Sequence, residues 1–353
     1  VTLPRELPEP RRPDPRSVPV LRWGVLGTGW IAQRFVAALQ KNTDQQVVAV
    51  GSRTPDSAER FATAAGVPTA HGSYAALLAD PTVDVVYVAL PHHLHHGAAL
   101  QAIAAGKHVL IEKPLALDAT QAREVFDAAA AAGVACVEAY WTAFLPRFDV
   151  VRQVLDAGWL GDVRSVVADH GERFDPPHRI LEPALAGGSL LDLGTYLTTF
   201  STWVLGPATS VFASGEMSST GVNAQTAAVL GHARGARSSL HTTVEAKTPT
   251  TATIAGTEAT LFLPGPWMMP GDVHVTSADG ATTISWTDPQ PVGHGALHHT
   301  AVEFAARIGA GELSTPLHPT EAVLANLAAL DEITRQVGVD YSAAAPVETV
   351  APS

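Results

Sequence analysis

The chain has 353 residues, enough for two domains at roughly 150 residues each. A formal net charge of −12 argues against nucleic acid or an anionic membrane as partner, because both need a basic face. One cysteine, Cys136, excludes an internal disulfide framework, and 46% hydrophobic against 16% charged residues excludes disorder as the main state.

Residues 1–20 read as a Pro/Arg-rich arm. Arg11-Arg12 is followed by Pro13-Asp14-Pro15-Arg16, not by the apolar region of an export signal, and no apolar run is long enough for a membrane span. The expected location is the cytoplasm. From 21 to 145, short apolar runs (23–26, 47–50, 83–90, 108–111, 134–137) alternate with helical-period stretches (31–39, 56–65, 94–105, 119–132). That rhythm predicts a parallel sheet covered on both faces. After about Pro146 come a helix at 148–157, a strand at 163–168 and a helix at 190–205. Thr/Val-alternating segments follow between 210 and 286, and helices at 298–308 and 320–337 close the pattern. The fold class is α/β plus α+β: a doubly wound parallel sheet of Rossmann type, then a domain with a large, mainly antiparallel, open-faced sheet. The domains are an arm at 1–20, a dinucleotide-binding domain at 21–145, a substrate and oligomerisation domain at 146–340 and a tail at 341–353.

Gly27-Thr28-Gly29-Trp30-Ile31-Ala32 follows the first strand and opens a helix. In this GxGxxA run Gly27 permits a tight turn, Gly29 a close backbone approach to a pyrophosphate, and Ala32 close packing of helix on strand. The helix N-terminus offers unpaired N–H groups to the phosphates. NAD binders usually carry an acidic residue about 20 residues later. Here the second strand ends Val50-Gly51-Ser52-Arg53-Thr54, and Ser52 with Arg53 suits a 2′-phosphate, so NADP is preferred to NAD. Lys113 ends the fourth run, within Gly106-Lys107-His108-Val109-Leu110-Ile111-Glu112-Lys113-Pro114-Leu115. Taken alone, such a lysine is a surface residue, and Tyr196 among Leu190, Leu191, Leu193, Leu197 and Phe200 is a core tyrosine. Asp192 and Tyr196, four apart, share one helix face.

Several runs together resemble the glucose–fructose oxidoreductase / inositol dehydrogenase / MocA-type family. They are the glycine loop, Ala89-Leu90-Pro91-His92-His93-Leu94-His95, the Glu112-Lys113-Pro114 run, Glu138-Ala139, Gly158 to Arg164, Gly187 to Tyr196 and Arg335 to Gly338. The resemblance spans nearly all of 21–340 and is nearest to the dimeric dihydrodiol dehydrogenase and D-xylose dehydrogenase branch. His92 stands where the family has Asn, and Ala143 where that branch has Arg. The resemblance implies cofactor contacts from Gly27, Thr28, Gly29, Trp30, Ile31, Ser52, Arg53, Leu90, Pro91, His92, His95, Glu112, Lys113 and Pro114. It implies that Lys113, Tyr196 and Asp192 are catalytic. Tyr196 would exchange the hydroxyl proton while carbon gives hydride to the nicotinamide. A tyrosine normally ionises near pH ~10, and a nearby ammonium such as Lys113 favours the anion. Asp192 would bind a substrate hydroxyl or orient Lys113. The implied substrate is a sugar or cyclitol, with a dihydrodiol, a keto-sugar or a non-catalytic NADP sensor as alternatives.

Weaker expectations complete the reading. The cluster His92, His93, His95, His96 lacks the carboxylate or cysteine of a zinc site, so no metal is expected. One of His298 and His299 is a pocket candidate, as are Glu172, Arg173 and His178. Trp267-Met268-Met269 reads as a packed or interface loop. An uncovered apolar sheet face predicts a homodimer or homotetramer.

Overall fold

A computed structural model describes residues 3–290, 293–342 and 344 of the chain. Two compact units divide it. One comprises Thr142–Gly293 and Glu321–Ala344 with the arm as far as Arg12, and the other comprises Pro13–Trp141 and His294–Thr320.

In the nucleotide-type unit the elements run in order. They are β1 (Arg22–Leu26), α1 (Trp30–Asn42), β2 (Gln46–Gly51), α2 (Pro55–Ala65), β3 (Thr69–His71), α3 (Tyr74–Leu78), β4 (Val85–Val88), α4 (His95–Ala104), β5 (His108–Glu112), α5 (Ala119–Ala132) and β6 (Cys136–Ala139). The six strands are parallel, in the order β3-β2-β1-β4-β5-β6. Every residue of β4 and β6 is buried, as a sheet covered on both faces requires. The short pair β3 and α3 was not legible as periodicity; Ser73 caps α3 by accepting from the Ala76 N–H. Strand order reverses between β1 and β4, which places a ligand crevice at their carboxyl ends.

The other unit opens with α6 (Pro146–Asp156), β7 (Val163–Gly171) and α7 (Thr195–Leu205). Then come β8 (Ser210–Met217), β9 (Asn223–Gly231), β10 (Arg237–Thr243), β11 (Ala252–Gly256), β12 (Ala259–Leu263), β13 (Val273–Ser277) and β14 (Thr283–Trp286). The sheet order is β14-β13-β12-β11-β7-β10-β9-β8, antiparallel except where β10 runs beside β7. Helix α7 covers one face over β7 and β10. The opposite face carries a row in register across all eight strands: Phe212, Val229, Ser239, Val167, Thr253, Phe262, His274, Ser285. Phe212 is 70% exposed, and Val167, Val229 and Phe262 are exposed with it.

Helix α8 (His298–Gly309) follows the sheet in sequence, yet it groups with the nucleotide-type unit, packing on α1 and setting Phe304 against Trp23. The sequence reading had placed 294–320 with the sheet-rich half. Helix α9 (Thr320–Val337) stays with the sheet, its Gln336 donating to the Val211 carbonyl of β8 and accepting from the Ala213 N–H. The arm is docked as far as Arg12: Arg11 pairs with Asp149, and Arg12 donates to the Ala143 and Leu145 carbonyls. The Trp267 loop is packed. Arg147, fully buried, donates to the carbonyls of Pro264, Trp267, Met269 and Asp272. Burial pushes its guanidinium down to about 10, against Asp272 and Asp288. Among the described residues no helix is long and apolar enough to cross a membrane.

Candidate functional site

At the end of β1, Gly27 has φ +105° and its N–H donates to the Gly51 carbonyl at 2.9 Å. A Cβ there would stand 2.4 Å from the Ala89 carbonyl oxygen, so only glycine fits between β1 and β4. A Cβ on Gly29 would meet nothing within 4 Å, which leaves open space before the N-terminus of α1. Trp30 is exposed there, with the Arg34 guanidinium 5.5 Å over its ring, while Ala32 is buried. Thr28 Oγ1 lies 3.1 Å from Ser57 Oγ, in the first turn of α2.

At the end of β2, Ser52 is buried, its N–H bound to the His71 carbonyl, and Arg53 is exposed. No carboxylate occupies this tip. Tyr74 lies within electrostatic reach of Arg53: burial raises its phenol pKa and Arg53 lowers it. Sequence reasoning missed Ser57 and Tyr74, because neither belongs to the glycine loop or the strand tip.

The segment after β4 turns through a short 3-10 helix, His92–Leu94, so His92 and His96 do not lie on one continuous α-helix. His96 pairs with Glu124. His95 is fully buried, and its ring bridges two carbonyls: Nδ1 is 2.8 Å from Pro114 and Nε2 is 2.8 Å from Leu90. It thereby ties the end of β4 to the segment holding Lys113. Glu112 is buried and accepts from the Tyr87 hydroxyl and the Lys113 N–H. Burial raises the Glu112 carboxyl pKa, and the Tyr87 bond opposes it. Leu115, three residues on, is anchored by Glu138 of the Glu138-Ala139 run, a role the run alone does not reveal. Glu138 accepts the Leu115 N–H at 2.7 Å and meets His318 Nε2 at 2.6 Å, both side chains buried. His298 and His299 are buried on the first turn of α8, with rings 4.1 Å apart and His298 Nδ1 on the Gly295 carbonyl. Burial lowers the His298 pKa.

In the sheet-rich unit, Leu190–Gly194 is a π-helical turn that runs into α7 at Thr195. The expected uninterrupted α-helix is therefore corrected. In a π turn the repeat is wider, so i and i+4 fall just short of one revolution and Asp192 and Tyr196 keep a common side. Asp192 is buried and faces Arg179 with both oxygens at 2.9 Å. Tyr196 lies at the start of α7, 9% exposed. Its ring meets His170 of β7 edge-on, with centroids 5.4 Å apart. His170 was missed too: a lone histidine at an inward strand position carries no motif. Of the pocket candidates, Glu172 binds His170 at 3.0 Å and Arg173 pairs with Asp175. His178 caps Ile180 and packs on Phe174; burial lowers its pKa.

Comparison with known proteins supplies a second line of argument. Residues 21–140 match the GFO/IDH/MocA oxidoreductase family, NAD-binding Rossmann fold, and residues 148–262 match the GFO/IDH/MocA C-terminal domain. The chain is 32% identical over 326 residues to trans-1,2-dihydrobenzene-1,2-diol dehydrogenase of Xenopus laevis, covering 91% of this chain and 99% of that protein. The enzyme of that name from Homo sapiens is 34% identical over 259 residues, 72% of this chain and 78% of its own. Among solved structures, a 3-ketoreductase from Actinomadura kijaniata in complex with NADP and TDP-benzene is similar. Its TM-score is 0.81 at 28% identity, covering 90% of this chain and 98% of that one. That ketoreductase has also been solved with a lysine changed to alanine and with a tyrosine changed to phenylalanine.

Proposed function

Because the chain belongs to the GFO/IDH/MocA oxidoreductase family, we propose that it is an NADP-dependent dehydrogenase or reductase acting on a CH–OH carbon of a polyhydroxylated ring. The observation that carries this reading is that the glycine loop, with Gly27 against Ala89, and the Lys113 segment, tied to Leu90 by His95, both flank the end of β4 beside the strand-order reversal. The residues fit the cofactor. Gly27 leaves room only for backbone, Gly29 opens onto the α1 N-terminus, and exposed Arg53 with Ser52 suits the extra phosphate of NADP. When bound, the nicotinamide accepts or gives the hydride. Thr28, Trp30, Ile31, Leu90, Pro91, His92, Glu112 and Pro114 complete the proposed contacts.

Tyr196 takes the hydroxyl proton when the alcohol is oxidised and returns it when the ketone is reduced. Lys113 supplies the positive charge that favours the phenolate. Asp192, holding Arg179, contributes an acceptor for a substrate hydroxyl. Two substrate classes are proposed: a sugar or cyclitol, from the family resemblance of the sequence, and a trans-dihydrodiol, after the name of the 32%-identical dehydrogenase. Both present a ring carbon bearing oxygen beside another such carbon. A panel of aldoses, cyclitols and trans-1,2-dihydrobenzene-1,2-diol, each with NADP⁺ and NAD⁺, tests the reading by NADPH absorbance. Absence of turnover on the whole panel, with tight NADP⁺ binding, favours the sensor instead.

The open face of the eight-stranded sheet is the proposed self-association surface, making the enzyme a homodimer or a tetramer of dimers. Sedimentation at micromolar concentration tests it, and a monomer there refutes it. The single thiol, Cys136, is buried and pushed up to about 12 by that burial.

A further inference from the structure

Resting on the assignment of Tyr196, a second proton-holding group stands behind it. Tyr196 is nearly sealed from water, so the proton it takes at each turnover needs somewhere to go. His170 projects from β7 onto the covered face of the sheet, with its side chain 4% exposed and its ring edge-on to the Tyr196 ring at 5.4 Å and 68°. Its Nε2 is 3.0 Å from Glu172 Oε1, and the Glu172 side chain is 53% exposed. A carboxylate only accepts, so Nε2 carries the hydrogen, and a neutral imidazole then keeps its lone pair on Nδ1. That Nδ1 atom is buried and has no hydrogen-bond partner among the described residues. A buried acceptor left empty is costly and calls for an explanation.

We propose that His170 is the positioning residue that accepts the Tyr196 phenol proton, with Glu172 fixing its tautomer and steadying the imidazolium. The arrangement repeats the logic of a hydroxyl, an imidazole and a carboxylate in series. In oxidation the Tyr196 O–H bond first breaks and its hydrogen passes to Nδ1, leaving the phenolate that Lys113 favours; the substrate O–H bond then breaks as the Tyr196 O–H bond re-forms. The carbon's hydride goes to the oxidised nicotinamide. In reduction both proton transfers reverse. Because Nδ1 has no partner within hydrogen-bond reach among the described residues, the transfer between Tyr196 and Nδ1 runs through one water.

The test needs no known substrate. The chain has five tyrosines, so protein labelled with ¹³C at tyrosine Cζ gives few signals, and Tyr196→Phe assigns the one of interest. In mixed H₂O/D₂O the isotope splitting of that signal reports hydroxyl exchange. His170→Phe keeps an aromatic ring and is expected to slow Tyr196 exchange at least tenfold; Glu172→Gln slows it less. In wild-type protein, ¹⁵N spectra of histidine are expected to show His170 with Nε2 protonated and Nδ1 bare. Once the panel gives a substrate, His170→Phe is expected to lower kcat with KM within about twofold, and Glu172→Gln to alter the pH profile of kcat. Unchanged Tyr196 exchange in His170→Phe, or a protonated Nδ1 in the neutral ring, overturns the proposal. The ¹⁵N arm holds even if His170→Phe does not fold. If Tyr196→Phe abolishes turnover while His170→Phe turns over normally, only this inference fails. If Tyr196→Phe is fully active, the assignment of Tyr196 fails.

Discussion

The two sheets use their residues in opposite ways. The six-stranded parallel sheet is buried on both sides, and its proposed site residues sit at strand ends: Gly27 after β1, Arg53 after β2, Leu90 after β4, Lys113 after β5. The eight-stranded sheet is buried on one side only. Its proposed acid/base pair sits on that covered face, where His170 of β7 meets Tyr196 of α7, and the other face is left with Phe212, Val229, Val167 and Phe262. A parallel sheet has no spare face to offer a partner, whereas an antiparallel one can divide a reaction and an association surface between its two sides.

The largest effect expected from breaking this contrast is on the fold of the sheet-rich unit. Arg147→Met leaves the carbonyls that hold the Trp267 loop without their donor, and each buried unsatisfied group costs about 1–3 kcal/mol. The melting of that unit should fall, and NADP⁺ binding by the other unit should persist. A calorimetric scan with and without NADP⁺ reads both; an unshifted transition in Arg147→Met would remove Arg147 as the anchor of the Trp267 loop.

Next in size is the chemistry. Lys113→Met and Tyr196→Phe should each lower kcat on the order of 10²-fold or more, with little change in NADP⁺ affinity for Tyr196→Phe. If they act as one unit, the double variant is barely worse than the worse single one. Multiplying losses would show two separate functions.

How much of this was legible beforehand follows the same contrast. Strand ends in a βα series are marked by glycine, proline and charge, so the glycine loop, the Arg53 tip and the Lys113 run could be read from spacing. The short β3 and α3 could not, since Thr69-Ala70-His71 has no apolar run. Face-borne residues leave no such mark. His170 is a lone histidine at an inward strand position, and only the fold shows that it is buried against Glu172; the Glu138-Ala139 run likewise does not tell that Glu138 meets His318. The π turn at Leu190–Gly194 was also invisible, because leucines at this spacing suit an α-helix as well. The return of α8 to the first unit is a matter of chain path, which order along the sequence does not encode.

The open face offers a third test. Phe212→Glu and Val229→Lys put charges into the row that spans the sheet. Burying such a side chain is worth about 1.5–3 kcal/mol, and a two-fold contact counts each change twice. Sedimentation should move toward monomer while the melting temperature of the monomer stays near that of the wild type. An unaltered oligomer would exclude this face as the contact. Smaller still is the cofactor choice. Arg53→Asp trades a phosphate partner for a ribose acceptor, and the ratio of NADP⁺ to NAD⁺ affinity should fall on the order of tenfold or more. An unmoved ratio would remove Arg53 from the site and turn attention to Tyr74, within its electrostatic reach, and to Ser57 beside Thr28.

The smallest effect sharpens the comparison through pH, because one carboxyl in each unit is shifted in the opposite direction. In the parallel-sheet unit, Asp80 accepts from the Thr82 hydroxyl and N–H and faces His71 Nε2, and these hold it down to about 2. Its folded pKa lies below the unfolded value of about 3.9, so its contribution is complete above that value and is lost as pH falls toward 2. In the sheet-rich unit, Asp288 is raised by burial, against the N–H groups of Gln290 and Gly271. The folded state holds that proton more tightly than the unfolded one. Stability of the unit therefore declines as pH rises from below the ordinary carboxyl pKa through the raised one. Asp80→Asn should cost stability above about pH 4 and little near pH 2. Asp288→Asn should remove the decline with rising pH. Urea unfolding of each variant from pH 2 to 7, followed unit by unit, reads both slopes, and two slopes of the same sign would overturn the assignment for one of the carboxyls.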